Sequence, residues 1–158
     1  MTRTVYYTAT SLDGFIADPQ NSLDWLLSRQ SDPDGAMNWA DFEKRIGALA
    51  MGATTYEWVR EHDPGPWAYA VPAWVLTHRE LAAPPGADVR FTSADSDEEI
   101  AAVHAEMVAA AGDRDVWIVG GGDLAGRFAD RGLLDEVVVS IAPVTLGGGA
   151  PLLPRRLE

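Results

Sequence analysis

Short apolar runs alternate with amphipathic stretches along most of the chain, and this alternation predicts strands and helices in turn. Strand-like runs, rich in β-branched, aromatic and small apolar residues, occupy residues 4–10, 15–17, 48–51, 73–76, 89–91, 116–119 and 137–142. Helical spacing of apolar residues occurs in residues 24–27, 39–46, 54–59, 97–111 and 122–131. Because several strands are apolar on both faces, we expect an α/β fold with a mostly parallel central sheet and helices on both faces. The pattern predicts a single domain over residues 1–158.

Turns and helix caps separate these elements. Ser11-Leu12-Asp13-Gly14 is a turn signal, and Asp13 is interpreted as a turn residue rather than a catalyst. Ser96 begins a capping box, Ser-Asp-Glu-Glu, ahead of the helix over 97–111. Thr54 or Thr55 is predicted to cap the helix that follows residue 52.

The segment Gly120-Gly121-Gly122 follows the apolar run at 116–119 and begins a helical pattern. Glycines let backbone approach a ligand closely, and a helix N-terminus offers unpaired N–H groups to an anion. The competing interpretation is a tight turn, because glycine serves any positive φ. Two other strands end in polar turns, at residues 52–55 and 77–79. Because parallel strands end at one edge of a sheet, the three turns together predict a dinucleotide lying along that edge.

Gly120, Gly122 and Ala125 also match the G-x-G-x-x-A fingerprint, but a Rossmann fold is not favoured. That fingerprint follows the first strand of a βαβ unit and has an acid about 20 residues further on, at a strand end. Here the fingerprint lies late in the chain, and the nearest acids, Asp135 and Glu136, precede a strand.

Charge and composition narrow the function classes. The formal net charge is −12, which argues against binding to nucleic acid or to an anionic membrane surface. There is no cysteine, so disulfides, a thiolate nucleophile and a cysteine-ligated metal are excluded. The three histidines lack metal-ligand spacing, and we expect no metal. Because no apolar run approaches about 18 residues and no signal-peptide pattern is present, we expect a cytoplasmic protein.

The order and spacing of several motifs resemble the dihydrofolate reductase superfamily, and most of all its branch of RibD C-terminal domains from riboflavin biosynthesis. The Ser-Leu-Asp-Gly turn, the Met-Gly-x-x-Thr-Tyr-Glu segment and the glycine triplet form a fairly specific combination. The matching segments cover nearly the whole chain, at residues 8–17, 24–26, 51–57, 76–79, 116–122, 135–136 and 143–151. The resemblance implies a single dihydrofolate reductase-like domain that binds NADPH across the carboxyl ends of its strands.

The resemblance also implies roles for individual residues. Ala9 and Ile16 would flank the nicotinamide. The residues that would hold the pyrophosphate, with Leu124 close by, are Gly52, Thr54, Thr55, Gly121 and Gly122. Thr77, His78 and Arg79 would lie at the adenosine ribose, with Arg79 as the candidate ligand of its 2′-phosphate. Ser11 and Trp25 are expected to contact a small-molecule substrate.

Two departures from the family pattern affect these expectations. Ala53 stands where many members have a basic residue, so a preference for NADPH rests on Arg79, and NADH stays open as the cofactor. Relatives also continue past residues 151–153 into a final pair of strands, which we expect to be short or missing here, or supplied by a partner. Because a bare sheet edge favours pairing, a homodimer is expected.

Hydride transfer to a substrate requires a proton, and Asp24 is the candidate donor. It lies beside Trp25 in a loop expected to cover the nicotinamide, and an aromatic wall raises the pKa of a carboxyl. The alternative is that Asp24 caps the short helix that carries Trp25. Asp41 and Glu43 cannot be matched to the pterin-binding carboxylate of dihydrofolate reductases, so folate is not favoured as the substrate.

Three hypotheses follow. The leading one is an NADPH-dependent reductase of a small heterocycle or of a related carbonyl or imine. The second is a non-catalytic module or sensor that binds a nicotinamide dinucleotide. The third is an oligomer in which a neighbouring copy completes the sheet.

Overall fold

The computed structural model describes residues 1–158 as eight strands and five helices. The strands are β1 (Thr4–Ser11), β2 (Phe15–Ala17), β3 (Ile46–Gly52), β4 (Ala73–Leu76), β5 (Val89–Thr92), β6 (Asp115–Gly120), β7 (Glu136–Ala142) and β8 (Ala150–Pro151). The helices are α1 (Asp24–Leu27), α2 (Trp39–Arg45), α3 (Ala53–His62), α4 (Asp97–Ala111) and α5 (Gly122–Asp130). No helix is long and apolar enough to cross a membrane.

Six strands form one sheet in the order β5-β4-β3-β6-β1-β7, and all five pairings are parallel. The predicted α/β fold with a parallel central sheet is therefore confirmed. Parallel alignment places the carboxyl ends of all six strands at one edge of the sheet. At that edge the chain leaves β3 and β6, the two central strands, directly into α3 and α5.

Strand β3 is buried on both faces because small and large apolar residues alternate along it. Ala48 and Ala50 belong to the core under α4 and α5, whereas Leu49 and Met51 belong to the core that includes Phe42 of α2 and residues of α3. This alternation of side chains between two faces is what a strand dictates, and it places helices on both sides of the sheet.

Two local expectations are wrong and one is confirmed. Helix α3 begins at the N-cap Gly52 with no side-chain cap, so the predicted threonine cap is wrong. The N-cap of α1 is Leu23, so Asp24 lies in the first turn and is not the cap. The predicted box at Ser96 is present, since its hydroxyl accepts from the Glu99 N–H at 3.1 Å. Propensity alone favoured threonine at the start of α3.

A two-stranded antiparallel ribbon of β2 and β8 lies beside the main sheet, and it depends on two close approaches. Gly149, with φ of 129°, passes so near Ala17 that a Cβ would lie 2.0 Å from that residue's carbonyl oxygen. A Cβ at Gly122, the first residue of α5, would lie 2.4 Å from the carbonyl oxygens of Pro151 and Leu152. Glycine is therefore required where the ribbon meets the body of the domain.

The Asp13 carboxylate ties the β1–β2 turn to the segment before β8. It accepts hydrogen bonds from the Ser11 hydroxyl at 2.6 Å and from the backbone N–H groups of Leu146 and Gly147 at 3.0 and 2.8 Å. These bonds, with the Ser11 hydroxyl first, lower the pKa of Asp13 to about 2. The interpretation of Asp13 as a turn residue agrees with these contacts.

Gly122→Ala tests the approach of the ribbon to α5. We expect a loss of about 1–3 kcal/mol in the free energy of unfolding, because the new methyl group overlaps two backbone carbonyls that cannot rotate away. Urea denaturation followed by tryptophan fluorescence measures it. The matched control is Gly65→Ala, where a Cβ lies 3.7 Å from the nearest atom, the Asp63 Oδ1, and where no measurable loss is expected. Equal stability of the two variants would contradict the proposed packing.

Asp13→Asn tests the pH dependence of the turn. A folded-state pKa near 2 lies below the unfolded value of about 3.9, so the ionised carboxylate stabilises the fold fully above the unfolded pKa and loses that contribution as pH falls towards 2. We expect the wild type to melt at a higher temperature than the variant at pH 7, with the gap closing below about pH 4. A gap that is the same at pH 7 and pH 3 would contradict the role of the charge.

Candidate functional site

One large cavity, of about 1130 Å³, runs along the edge where the strands end. It contacts five adjacent strands in the sheet order β4-β3-β6-β1-β7, at residues Leu76, Gly52, Gly120, Ala9 and 140–142. Five strands enclose four interstrand spacings of about 4.8 Å, so the cavity crosses about 19 Å of sheet. An extended dinucleotide has this shape, whereas a small substrate alone would fill only part of it.

The two helices that follow the central strands β3 and β6 lack side-chain caps. Helices α3 and α5 have glycine N-caps, Gly52 and Gly121, both of which line the cavity, and neither end has a side-chain cap hydrogen bond. In α2 and α4 the side chains of Asn38 and Ser96 cap the first turn, whereas the four-residue α1, whose N-cap Leu23 also lines the cavity, has no side-chain cap. The N–H groups at the starts of α3 and α5 are therefore not occupied by a capping side chain.

These two helix starts are neighbours, because β3 and β6 are paired in the sheet. In α5, the first helical hydrogen bond runs from the Ala125 N–H to the Gly121 carbonyl, so the N–H groups of 122–124 precede it. Each helix also carries a partial positive charge at its N-terminus. Two adjacent sets of N–H groups with positive dipole ends form a site for an anion with two charged groups, such as a pyrophosphate.

The three glycines of the triplet serve different purposes. Gly120 has φ of 136°, which side chains rarely adopt, and its peptide bond to Gly121 is cis. A Cβ on Gly121 would meet only the Ile16 Cδ1, at 3.5 Å, so this position faces the open cavity. Gly122 is required by the packing of 151–152 described above. Only part of the triplet therefore serves the cavity directly.

Aromatic side chains form one region of the cavity wall. They are Tyr7, Trp39, Trp58, Tyr69 and Trp117. Four of these rings pack together around Trp117, with ring centroids 4.9 Å apart for Trp39 and Trp117 and 5.7 Å apart for Tyr69 and Trp117, whereas Trp58 stacks on His62. Burial raises the pKa of both tyrosines, with a further contribution to Tyr69 from nearby acids. The phenols therefore stay protonated at neutral pH and can donate hydrogen bonds.

The segment around α1 covers this side of the cavity. Leu23, Leu26 and Leu27 line it, followed by Arg29, and Leu27 is largely exposed. No residue of α1 is buried, and the helix has only four residues. Apolar side chains held over an open cavity by so short a helix would gain burial when a ligand fills the space beneath them.

Charged side chains are few in the cavity. Asp123 is the one carboxylate that lines it, and its Oδ1 lies 3.3 Å from the Arg155 guanidinium. Arg29 and Arg127 are the two cations. No group of acids, histidines or cysteines in the chain has the geometry of a metal site.

Most residues that the resemblance assigned to the cofactor line this cavity. Those that do are Ala9, Ile16, Gly52, Thr54, Thr55, Gly121, Gly122 and Leu124. Thr77, His78 and Arg79 do not, although Leu76 directly before them does. The Arg79 guanidinium is paired with Glu57 at 2.8 Å, and His78 Nε2 lies 2.6 Å from Asp95 Oδ1. Both pairs are exposed to solvent.

The residues assigned to substrate and proton transfer lie elsewhere. Ser11 is buried in the turn, where its hydroxyl donates to Asp13 and accepts from the Phe15 N–H. The Trp25 indole donates to the Ser22 carbonyl at 3.1 Å, and Asp24 is exposed. None of the three lines the cavity. The side chains of α1 that do so are Leu26 and Leu27.

Sequence reasoning missed most of the aromatic wall and both cavity arginines. The apolar run at 116–119 predicts only that Trp117 lies in a strand, and Tyr7, Trp58 and Tyr69 were not singled out. The Tyr7 and Trp117 side chains alternate with buried neighbours on β1 and β6, so the period-2 pattern predicts the face of the sheet on which they lie. It does not predict the cavity next to that face. Trp58 follows the Thr-Tyr-Glu motif by one residue, and that position was the available signal.

Comparisons with known proteins agree with this geometry. The family model of the RibD C-terminal domain matches residues 4–157. The uncharacterized protein YwjB of Bacillus subtilis is 30% identical over 150 residues, which span 95% of this chain and 82% of that protein. A crystal structure of a protein from Shewanella sp. PV-4, named for riboflavin biosynthesis, is 31% identical with a TM-score of 0.77, and the match covers 99% of this chain and 88% of that one.

The fold is shared more widely. Dihydrofolate reductase from Enterococcus faecalis, solved in complex with NADP(H), has a TM-score of 0.56 at 18% identity, over 97% of this chain and 77% of that one. The near-complete match to the family model, together with the two relatives at 30% identity or above, assigns the family. The chain belongs to the RibD C-terminal domain family.

Proposed function

We propose that this protein is a reductase that binds NADPH along the strand-end cavity and transfers its hydride to a small heterocyclic, carbonyl or imine substrate. The observation that carries the proposal is the pair of uncapped, glycine-led helix starts at the centre of the cavity. Helices α2 and α4 carry side-chain caps, and the contrast with the glycine N-caps of α3 and α5 supports a role for these two ends in binding another hydrogen-bond acceptor.

The cavity wall differs in polarity on the two sides of this centre, and this difference orients the proposed cofactor. Towards β4 and β5 the surface is polar and carries Thr77, His78 and Arg127, which suits a ribose. Towards β1 and β7 the wall includes Ala9, Ile16 and the aromatic rings of Tyr7 on β1 and Trp117 on β6, which suits a nicotinamide ring and a planar substrate. The pyrophosphate would lie between them, at Gly52, Thr54, Thr55, Gly121 and Gly122.

The bound dinucleotide supplies the hydride, and the chain supplies position and a dry environment. The leucines of α1 would exclude water from the reacting atoms, and the aromatic wall would fix the plane of the substrate. Because no carboxylate lines the aromatic region, the groups there that can present a proton to the substrate are the Tyr7 and Tyr69 phenols. The Tyr7 hydroxyl already donates to the Met37 carbonyl at 2.8 Å, so Tyr69 is the freer of the two.

Gly52→Asp tests the phosphate site at α3. Gly52 has φ of −82°, and a Cβ there would lie 3.9 Å from its nearest neighbour, so a side chain fits. An aspartate would cap the helix and stabilise the fold by a few tenths to about 1 kcal/mol. Its charge would repel the pyrophosphate, and we expect NADPH affinity, measured by nicotinamide fluorescence, to fall at least tenfold.

The matched control for that experiment is Gly52→Ala, which adds the Cβ without the charge. We expect its NADPH affinity to stay within about threefold of the wild type, because the position is open. If the wild type binds neither NADPH nor NADH at millimolar cofactor concentration, the proposed function is contradicted. An aspartate variant that binds NADPH as tightly as the alanine variant would remove α3 from the phosphate site.

Asp24→Asn tests the proton donor expected from the sequence. Since Asp24 is exposed and does not line the cavity, we expect kcat to change less than about threefold, far below the effect of removing a general acid. Tyr69→Phe is the comparison, with an expected loss of tenfold or more in kcat and little change in cofactor affinity. A large loss of kcat in Asp24→Asn but not in Tyr69→Phe would indicate that Asp24 is the proton donor.

A non-catalytic module that binds the dinucleotide is the second candidate. Asp123, the one carboxylate in the cavity, lies on the helix start proposed for the pyrophosphate and not against the aromatic region, which leaves substrate protonation to weak acids. Reduction of any heterocyclic or carbonyl substrate by NADPH, with loss of turnover in Tyr69→Phe, would exclude this candidate.

The expected homodimer and cytoplasmic location stay predictions. Strand β7 forms one end of the sheet and exposes Val137 and Ile141. Light scattering at micromolar concentration, with a stable monomer as the contradicting result, tests the dimer.

A further inference from the structure

Arg127 is the cavity cation that is built into the body of the domain. It lies on α5, five residues after Gly122, and its side chain is half-buried. Five residues of helix rise about 7.5 Å, so Arg127 lies that far along the axis from the helix start proposed for the pyrophosphate. Arg29, the other cavity cation, follows the short exposed helix α1 and has no fixed partner.

The contacts of Arg127 place it on the polar side of the cavity. Its guanidinium donates a hydrogen bond to the carbonyl of Ala94, a buried residue just after β5. The next residue, Asp95, is hydrogen-bonded to His78, which lies two residues after the end of β4. Arg127 therefore reaches the corner formed by the ends of β4 and β5, where the resemblance places the adenosine ribose.

The charge of Arg127 has no acidic partner in the chain. Its one hydrogen bond goes to a neutral carbonyl, which leaves most of its five N–H donors available. Arg79, in contrast, is paired with Glu57, lies outside the cavity and is about half exposed. The Arg79 guanidinium thus contacts a carboxylate outside the cavity, whereas that of Arg127 lines the cavity without an acidic partner.

Resting on the proposed function, we propose that Arg127, and not Arg79, is the residue that binds the 2′-phosphate of the adenosine ribose and selects NADPH over NADH. At the start of α3, Ala53 stands where many family members have a basic residue. Arg127 would supply the positive charge that is absent there. The fixed hydrogen bond to Ala94 holds the guanidinium in place before the cofactor arrives, which reduces the entropy lost on binding. Arginine suits a phosphate because its planar group donates two parallel hydrogen bonds.

The experiment compares the dissociation constants of NADPH and NADH, measured by nicotinamide fluorescence, for the wild type, Arg127→Gln and Arg127→Lys. We expect the wild type to bind NADPH at least tenfold more tightly than NADH. Arg127→Gln should weaken the affinity for NADPH by tenfold to a hundredfold and the affinity for NADH by less than threefold. The affinity of Arg127→Lys for NADPH should lie between those of the wild type and Arg127→Gln. The matched control, Arg79→Gln, should keep the wild-type preference.

Two further measurements keep the inference testable if the glutamine variant folds poorly. In the wild type, 2′,5′-ADP should displace NADPH at least tenfold more effectively than 5′-ADP. The preference should also narrow as salt is raised, because an ion pair is screened. Both use the intact chain and do not depend on a variant.

The contradicting outcomes are distinct. An equal loss of affinity for NADPH and NADH in Arg127→Gln would indicate that Arg127 only stabilises the loop between β5 and α4. Loss of the preference in Arg79→Gln would return the role to Arg79. Equal affinity of the wild type for both cofactors would overturn this inference while leaving the proposed function intact, whereas binding of neither would overturn both.

Discussion

The parallel pairing of β3 with β6 is the constraint on which the site depends. It puts two helix starts side by side at the centre of the sheet, and glycine at both N-caps leaves their N–H groups without a side-chain acceptor. Had either strand run the other way, one set of donors would lie at the far edge. Burial of apolar side chains stabilises this pairing, because the alternating alanines and larger residues of β3 are buried on both faces of the sheet.

The ribbon of β2 and β8 adds a second constraint at one side of the cavity. Its position depends on Gly122 and Gly149, where nothing larger than hydrogen fits, and on the Asp13 carboxylate that ties the turn to 146–147. Ile16, Ala17, Ala150 and Pro151 line the cavity from this ribbon. The shape of the proposed nicotinamide side is thus maintained by close backbone packing at two glycines and by the hydrogen bonds of Asp13.

The sequence predicts the sheet, the helices on both faces and the glycine-led start of α5, because each depends on residues adjacent in the chain. It wrongly places the start of α3 at a threonine instead of at Gly52. It does not predict which polar turn reaches the cavity. Thr77, His78 and Arg79 follow a strand just as Gly52 does, yet Arg79 is drawn to Glu57 on α3, a partner 22 residues away. Arg127 and the aromatic wall depend in the same way on contacts between distant segments, which local patterns do not encode.

The charge distribution explains why selection among anions must come from side chains. The chain carries a net charge of −12, yet one carboxylate and two arginines line the cavity. In the proposed site, backbone N–H groups at the helix starts would offset the general repulsion, but they would bind any phosphate and would not distinguish two dinucleotides that share a pyrophosphate. The difference between NADPH and NADH lies on the adenosine ribose. A cation further along the helix that carries one proposed phosphate site, such as Arg127 on α5, would distinguish the two cofactors.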